Sequence, residues 1–160
     1  MKQLIFIFFI SFLLLSYDCS AQKISWLNFK QLEDSLAVKP KKVLLFFYAD
    51  WCEYCKKMEQ TAFKKKDIIN ILNSTFYAVK MNAESDEEII FDGAKYSNKN
   101  LGKSRTPYHE IPLLLASRKD VELSLPATLI LDKNFTVQNR YFEYLSPKKL
   151  IFILRNVIKN

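Results

Sequence analysis

Residues 43–48 read V-L-L-F-F-Y, an unbroken apolar run rich in aromatic residues and of strand length. A strand with one solvated face alternates apolar and polar residues; this one does not alternate, so both its faces must be covered. It belongs in the middle of a sheet with material packed above and below. A chain of 160 residues, 49% hydrophobic, is long enough for one domain of that kind and too short for two of ordinary size. Only two glycines and five prolines also argue for a compact fold rather than a disordered or fibrous one.

The remaining segments supply the layers. Trp26, Phe29, Leu32 and Leu36 recur at helical spacing, which predicts a helix capped by Ser25 and ended by Pro40. Ala49-Asp50-Trp51 follows the central run as a turn, and Cys52 opens a helix expected to reach about Lys66, with another from Asp67. Phe76–Asn82 reads as a second strand. In the segment 84–107, Asp92-Gly93 stands between two strand-like arms, a strong hairpin signal. Thr106-Pro107 predicts an N-cap and first residue for a helix over 108–118. Residues 125–132 form a third strand, 137–144 return as a fourth, and Ser146-Pro147 caps a final helix through Val157. A strand–helix–strand start implies parallel neighbours with a right-handed crossover, and the closing strand pair implies an antiparallel one. The expected fold is α/β, a mixed sheet with helices on both faces and an inserted hairpin-containing segment.

Residues 1–21 stand apart. Lys2 precedes the apolar stretch 4–15, which is short of the roughly 20 residues that span a bilayer. Small residues at Cys19 and Ala21 suit signal-peptide cleavage after Ala21, which leaves a domain over 22–160 and predicts export. Asp18 is a poor neighbour for lipid attachment at Cys19.

Removal of Cys19 leaves Cys52 and Cys55 as the remaining cysteines. One C-x-x-C pair is not a disulfide scaffold, and a bridge across so short a loop restrains the unfolded chain little. At a helix N-terminus, Cys52 meets unpaired N–H groups and the positive end of the helix dipole, which favour the reactive thiolate. Cys55, further into the helix, is expected to be more buried and to resolve a mixed disulfide on Cys52. Glu59 lies four residues beyond Cys55 on the same helical side, where a carboxylate can take the resolving thiol's proton. Glu53 opposes a thiolate on Cys52 and so stabilises the disulfide, whereas Lys56 and Lys57 act in the opposite sense.

The string W-C-E-Y-C-K, the lysine-bearing strand V-K-M-N at 79–82 and the Leu125-Pro126 step together resemble the thioredoxin superfamily. The longer Y-A-D-W-C-x-x-C-K-x-x-E, followed by Phe63, is similar to the C-terminal thioredoxin-like domain of the transmembrane reductase DsbD. The resemblance covers about 43–157, less the inserted segment. It implies a cis peptide before Pro126, with the Leu125 backbone available to an extended substrate. Trp51, beside Cys52, is read as an aromatic platform for clients, with core packing as the alternative. The resemblance implies an acid role for Glu59 and reloading by a membrane electron donor of DsbD type. One departure matters: where these families carry a buried aspartate six residues before the first cysteine, this chain has Phe46.

The expectation is thus an exported, periplasmic, monomeric thiol–disulfide oxidoreductase, with reductase favoured, that acts on disulfide-bearing client proteins without a bound cofactor. A copper-delivery protein on the same thiols, or a binding module with a permanent disulfide, are the alternatives. The formal charge of +7 is scattered without a nucleic-acid motif, so no nucleic-acid partner is expected. His109, the single histidine, is read as a capping or surface residue rather than a metal ligand. The acidic run at 84–88 is read as a solvated turn or a first helical turn.

Overall fold

The computed structural model describes residues 22–159, so the leader reading for 1–21 lies outside the described residues. Strand β2 (Lys42–Tyr48) is central, as its composition requires, and Val43 through Phe47 are all fully buried. Its alternate residues feed two cores. Leu44 and Phe46 pack in the cluster that holds Cys52 and Cys55, while Val43, Leu45 and Phe47 pack in the opposite one. The five-stranded sheet runs β1 (Trp26–Leu27), β3 (Phe76–Asn82), β2, β6 (Ala127–Leu131), β7 (Val137–Tyr141). The first three are mutually parallel, and β6 and β7 join antiparallel. Helices α2 (Glu53–Gln60), α3 (Lys66–Thr75) and α5 (Pro147–Lys159) supply residues to the cysteine-bearing core; α1 (Phe29–Val38) and α4 (Glu110–Ala116) supply the other. This is the expected mixed sheet with helices on both faces. Among the described residues no helix is long and apolar enough to cross a membrane.

Three local expectations are corrected. Ser25 does not cap the first helix. The cap is Asn28, whose side chain accepts from the Gln31 amide at 2.8 Å while the Gln31 side chain accepts from the Asn28 amide at 3.0 Å. That reciprocal cap satisfies two amides at once. It leaves Trp26 to pair with β3 and pack its ring edge-on to Phe63 at 5.1 Å. The second helix stops at Gln60 rather than Lys66. There the Thr61 hydroxyl donates back to the Lys57 carbonyl at 2.6 Å, and a 3-10 turn over Ala62–Lys64 buries Ala62 and Phe63. Third, β7 ends at Tyr141, not at residue 144, which releases the chain to bring Tyr144 over α2.

The hairpin at Asp92-Gly93 forms as expected, from β4 (Ile89–Phe91) and β5 (Ala94–Tyr96), with both turn residues at positive φ (51° and 69°). It is a separate two-stranded sheet and extends no edge of the main one. Phe91 instead packs against Phe29 at 5.3 Å, and Glu33 of α1 accepts from the Asp92 amide at 2.8 Å.

The helix expected to start at Pro107 starts at Glu110. Asn100 Nδ2 donates to the Tyr108 carbonyl at 2.9 Å, and Asn98 Nδ2 donates to the Pro107 carbonyl, so these carbonyls serve the inserted segment instead of a helix. The cap is His109. Its Nδ1 accepts from the Ile111 amide at 3.1 Å, which requires the neutral ring with the proton on Nε2, donated to the Glu87 carbonyl at 3.1 Å. His109 is therefore a cap, as one of its two readings had it, but it is fully buried rather than on the surface.

Burial holds the His109 pKa below the ordinary value, against weaker upward pulls from the Glu87 carbonyl and the Glu110 carboxylate. The unfolded chain, with a pKa of about 6.5, then binds more protons than the fold as pH falls below that value. The stabilising contribution is complete above about pH 6.5 and is lost as pH drops through the lowered folded value. Urea midpoints are expected to fall between about pH 7.5 and about pH 5.5, and His109→Gln should flatten that dependence. An equal slope in the variant would assign the acid sensitivity to other groups.

Candidate active site

The central strand delivers the chain to the site. Ala49 follows β2, its carbonyl accepts from the Cys52 amide at 3.0 Å, and Cys52 caps α2. Cys52 and Cys55 are joined as a disulfide. The Cys55 amide donates to Cys52 Sγ at 3.2 Å, so a backbone N–H of the first helical turn points at the sulfur of the expected nucleophile. Cys52 is 4% exposed and Cys55 1%. The order is the one anticipated, but even the outer sulfur shows little surface in the bonded state.

Leu125-Pro126 is cis, in keeping with the resemblance. The ladder pairs Phe47 with Ala127, which sets Pro126 beside the end of β2 from which the chain runs to Cys52. Leu125 precedes the first ladder pair and packs against both cores. Segments far apart in sequence thus converge at one end of the sheet.

Trp51 is 53% exposed, consistent with a platform. Its indole N–H donates to Glu84 Oε1 at 3.0 Å, so the half-buried turn residue that opens the acidic run is tied to Trp51, while Asp86, Glu87 and Glu88 are exposed, as a solvated turn requires. Asn82 carries this connection further, donating from Nδ2 to Asp50 at 3.3 Å and accepting from the Glu84 amide at 2.9 Å.

Glu59 is tied to Lys80 of β3 by an ion pair, and the Lys80 ammonium also lies 4.4 Å from the Tyr48 ring centroid. Lys80 is in register with Phe46. Phe46 itself fills the place of the missing aspartate with apolar packing: its ring meets Phe63 at 4.9 Å and Trp26 at 6.4 Å. The carboxylate that faces the site's lysine thus comes from the cysteine-bearing helix rather than from the central strand.

The charged side chains that flank Cys52 are engaged by neighbours. Glu53 pairs with Lys56 at 2.9 Å, and Lys57 sits 4.8 Å above the Tyr144 ring. His109 does not join the cysteines, since both its ring nitrogens are engaged elsewhere. Among the described residues no group of three potential metal ligands occurs.

A family model for the thioredoxin-like domain matches residues 29–158, most of the chain. The chain belongs to the thioredoxin-like family. It has the fold of the thiol–disulfide oxidoreductases and their C-x-x-C pair. A segment of 63 residues of this thioredoxin-like protein is 32% identical to the thiol:disulfide interchange protein DsbD of Campylobacter jejuni strain RM1221. That segment is 39% of this chain and 11% of the relative, so the chain spans only a small part of that protein's length. In structure it resembles the DsbH oxidoreductase, with TM-score 0.60, 14% identity and 90% of each chain covered. A disulphide isomerase from Xylella fastidiosa Temecula1 matches with TM-score 0.54 and 16% identity, over 90% of this chain and 97% of that one. The oxidised C-terminal domain of Neisseria meningitidis DsbD matches with TM-score 0.50 and 16% identity, over 79% and 90%. At these identities the structural likenesses establish the fold.

Sequence reasoning singled out Trp51, Cys52, Cys55, Glu59, Leu125 and Pro126; the fold sets Trp51, the cysteines, Leu125 and Pro126 at one end of the sheet and ties Glu59 to Lys80 of β3. It missed the role of Glu84 and the approach of Tyr144. Neither carries a local signal, because each partner lies tens of positions away in the chain.

Proposed function

We propose that this thioredoxin-like protein is an exported, periplasmic reductase of protein disulfides. The observation that carries the exchange chemistry is the Cys55 N–H aimed at Cys52 Sγ on the first turn of α2. A donor in that position stabilises a thiolate on Cys52. In the reduced protein the Cys52 thiolate attacks one sulfur of a client disulfide, forming a mixed disulfide and expelling the client's other sulfur as thiolate. Cys55 then loses its proton and attacks Cys52, releasing the second client thiolate. The client gains two electrons, the protein loses two, and the Cys52–Cys55 disulfide results. To reload the pair, one thiolate of a dithiol donor attacks the Cys52–Cys55 disulfide to form a mixed disulfide, and the donor's second thiolate resolves it, leaving the donor oxidised and both cysteines reduced.

Direction rests on the local similarity to DsbD and on Glu53 beside Cys52, whose charge is tempered by Lys56. Export rests on the apolar stretch 4–15. The clients are disulfide-bearing proteins, and the donor is a membrane protein of DsbD type. Catalysed reduction of insulin by dithiothreitol tests the reaction: acceleration over dithiothreitol alone is expected. Without acceleration the exchange reaction is overturned in favour of a copper-delivery protein or a permanent disulfide. A reduced pair in cells supports the reductase direction; an oxidised one reverses it.

Glu59 takes the Cys55 proton in this reading, with Lys80 holding its carboxylate in place. Glu59→Gln is expected to slow the resolving step about ten- to a hundredfold near neutral pH and to change its pH profile. An unchanged profile removes Glu59 from the mechanism.

A further inference from the structure

We propose that Tyr54 and Tyr144 form an aromatic subsite that selects clients with an aromatic side chain next to the reacting cysteine. The inference rests on the exchange reaction proposed above. Tyr54 lies between the two cysteines and is 61% exposed. Its ring meets that of Tyr144, from the connection between β7 and α5, at 6.1 Å between centroids and 38° between planes.

Tyr144 is held from two directions. The Thr61 hydroxyl spends its proton on the Lys57 carbonyl, so at 3.3 Å from Thr61 Oγ1 it is the Tyr144 O–H that donates. The Lys57 ammonium lies over the Tyr144 ring at 4.8 Å. The half-buried Tyr144 is thus a fixed wall, and Tyr54 leans on it with most of its own ring open to solvent.

The chemistry of the occupant follows from the two rings themselves. Glu53 is paired with Lys56, while Lys57 keeps its charge over the Tyr144 ring and Glu84 keeps its own on the Trp51 indole N–H. The open ring of Tyr54, leaning on Tyr144, offers a face and an edge on which a third ring packs, which suits a planar aromatic side chain. The subsite is continuous with the reacting centre, because Tyr54 is the residue next to Cys55. A client residue flanking its own cysteine is carried to Tyr54 when its sulfur meets Cys52. Trp51, at 53% exposure, offers a separate surface on the other side of Cys52 in the chain.

The test uses two disulfide-bonded peptides that differ only in the residue after the cysteine, Phe or Ser, and compares their reduction by the pre-reduced protein. The wild type should reduce the Phe peptide about three- to tenfold faster, the range an aromatic contact supplies. Tyr54→Ala should bring that ratio close to one, and Tyr54→Phe, which keeps the ring, should retain it. Tyr144→Ala should also erase it; if that variant does not fold, Tyr54→Ala decides. A wild-type ratio near one, or a ratio kept in Tyr54→Ala, overturns the subsite while leaving the exchange reaction intact. Failure to reduce either peptide overturns the exchange reaction itself, and the subsite with it.

Discussion

Cys55→Ser should convert the protein into a trap: client proteins accumulate on it as covalent adducts through Cys52, stable without reductant and dissolved by dithiothreitol. Turnover in the insulin assay should cease in the same variant. The expectation follows from position. Cys52 is the more exposed residue, caps the helix and accepts the Cys55 N–H, so it is expected to attack and to carry the mixed disulfide. Cys55, at 1% exposure and inside the first turn, reaches only Cys52. A serine there keeps the size of the side chain but supplies no thiolate, so the adduct is not resolved. Cys52→Ser should trap nothing, because the remaining thiol is buried. Non-reducing electrophoresis of the two variants after exposure to client extracts reads the result directly. Adducts on Cys52→Ser and none on Cys55→Ser would reverse the roles.

The largest effect on stability is expected from Phe46→Ala. Phe46 is fully buried on the central strand, with the rings of Phe63, Tyr48 and Trp26 at 4.9, 6.2 and 6.4 Å. Truncation removes most of a large apolar side chain and leaves a cavity among rings fixed by β1, β2 and the 3-10 turn, which collapse only in part. Such changes cost about 3–5 kcal/mol. Against a total of about 5–15 kcal/mol, that is a large share of the fold's stability. The urea midpoint should fall with little change in slope, whereas Val38→Ala, at an 87% exposed position, should stay within about 0.5 kcal/mol of wild type. A loss below about 1 kcal/mol at Phe46 would mean that the aromatic cluster does not behave as packed core. The same substitution bears on the site, since Phe63 lies in the 3-10 turn that follows the cysteine-bearing helix.

Elements governed by short-range chemistry were readable in advance. The apolar run 43–48 required a central strand because only full burial tolerates it, and Asp92-Gly93 required a hairpin because both residues accept positive φ. The C-x-x-C at the helix mouth was legible for the same reason, being a contiguous string with a local geometry. Boundaries failed where a nearby cap or a distant partner outbid the expected signal. Ser25 and Thr106 are sound caps by composition. Asn28 displaced the first by closing a reciprocal pair with Gln31, and His109 displaced the second because the inserted segment already holds the Pro107 and Tyr108 carbonyls. The helix after Cys55 stopped early because Phe63 had a core to reach.

The site divides along the same line. The sequence by itself determined the reactive pair, its place at a helix N-terminus and the strand that carries it there, because each depends on neighbours within a few residues. Only the tertiary structure decided what surrounds that pair. It set Glu84 on Trp51, Lys80 on Glu59 and Tyr144 against Tyr54. Those contacts join residues from 21 to 90 positions apart. Their partners are chosen by the register of the sheet and the packing of its two layers, which no local string encodes.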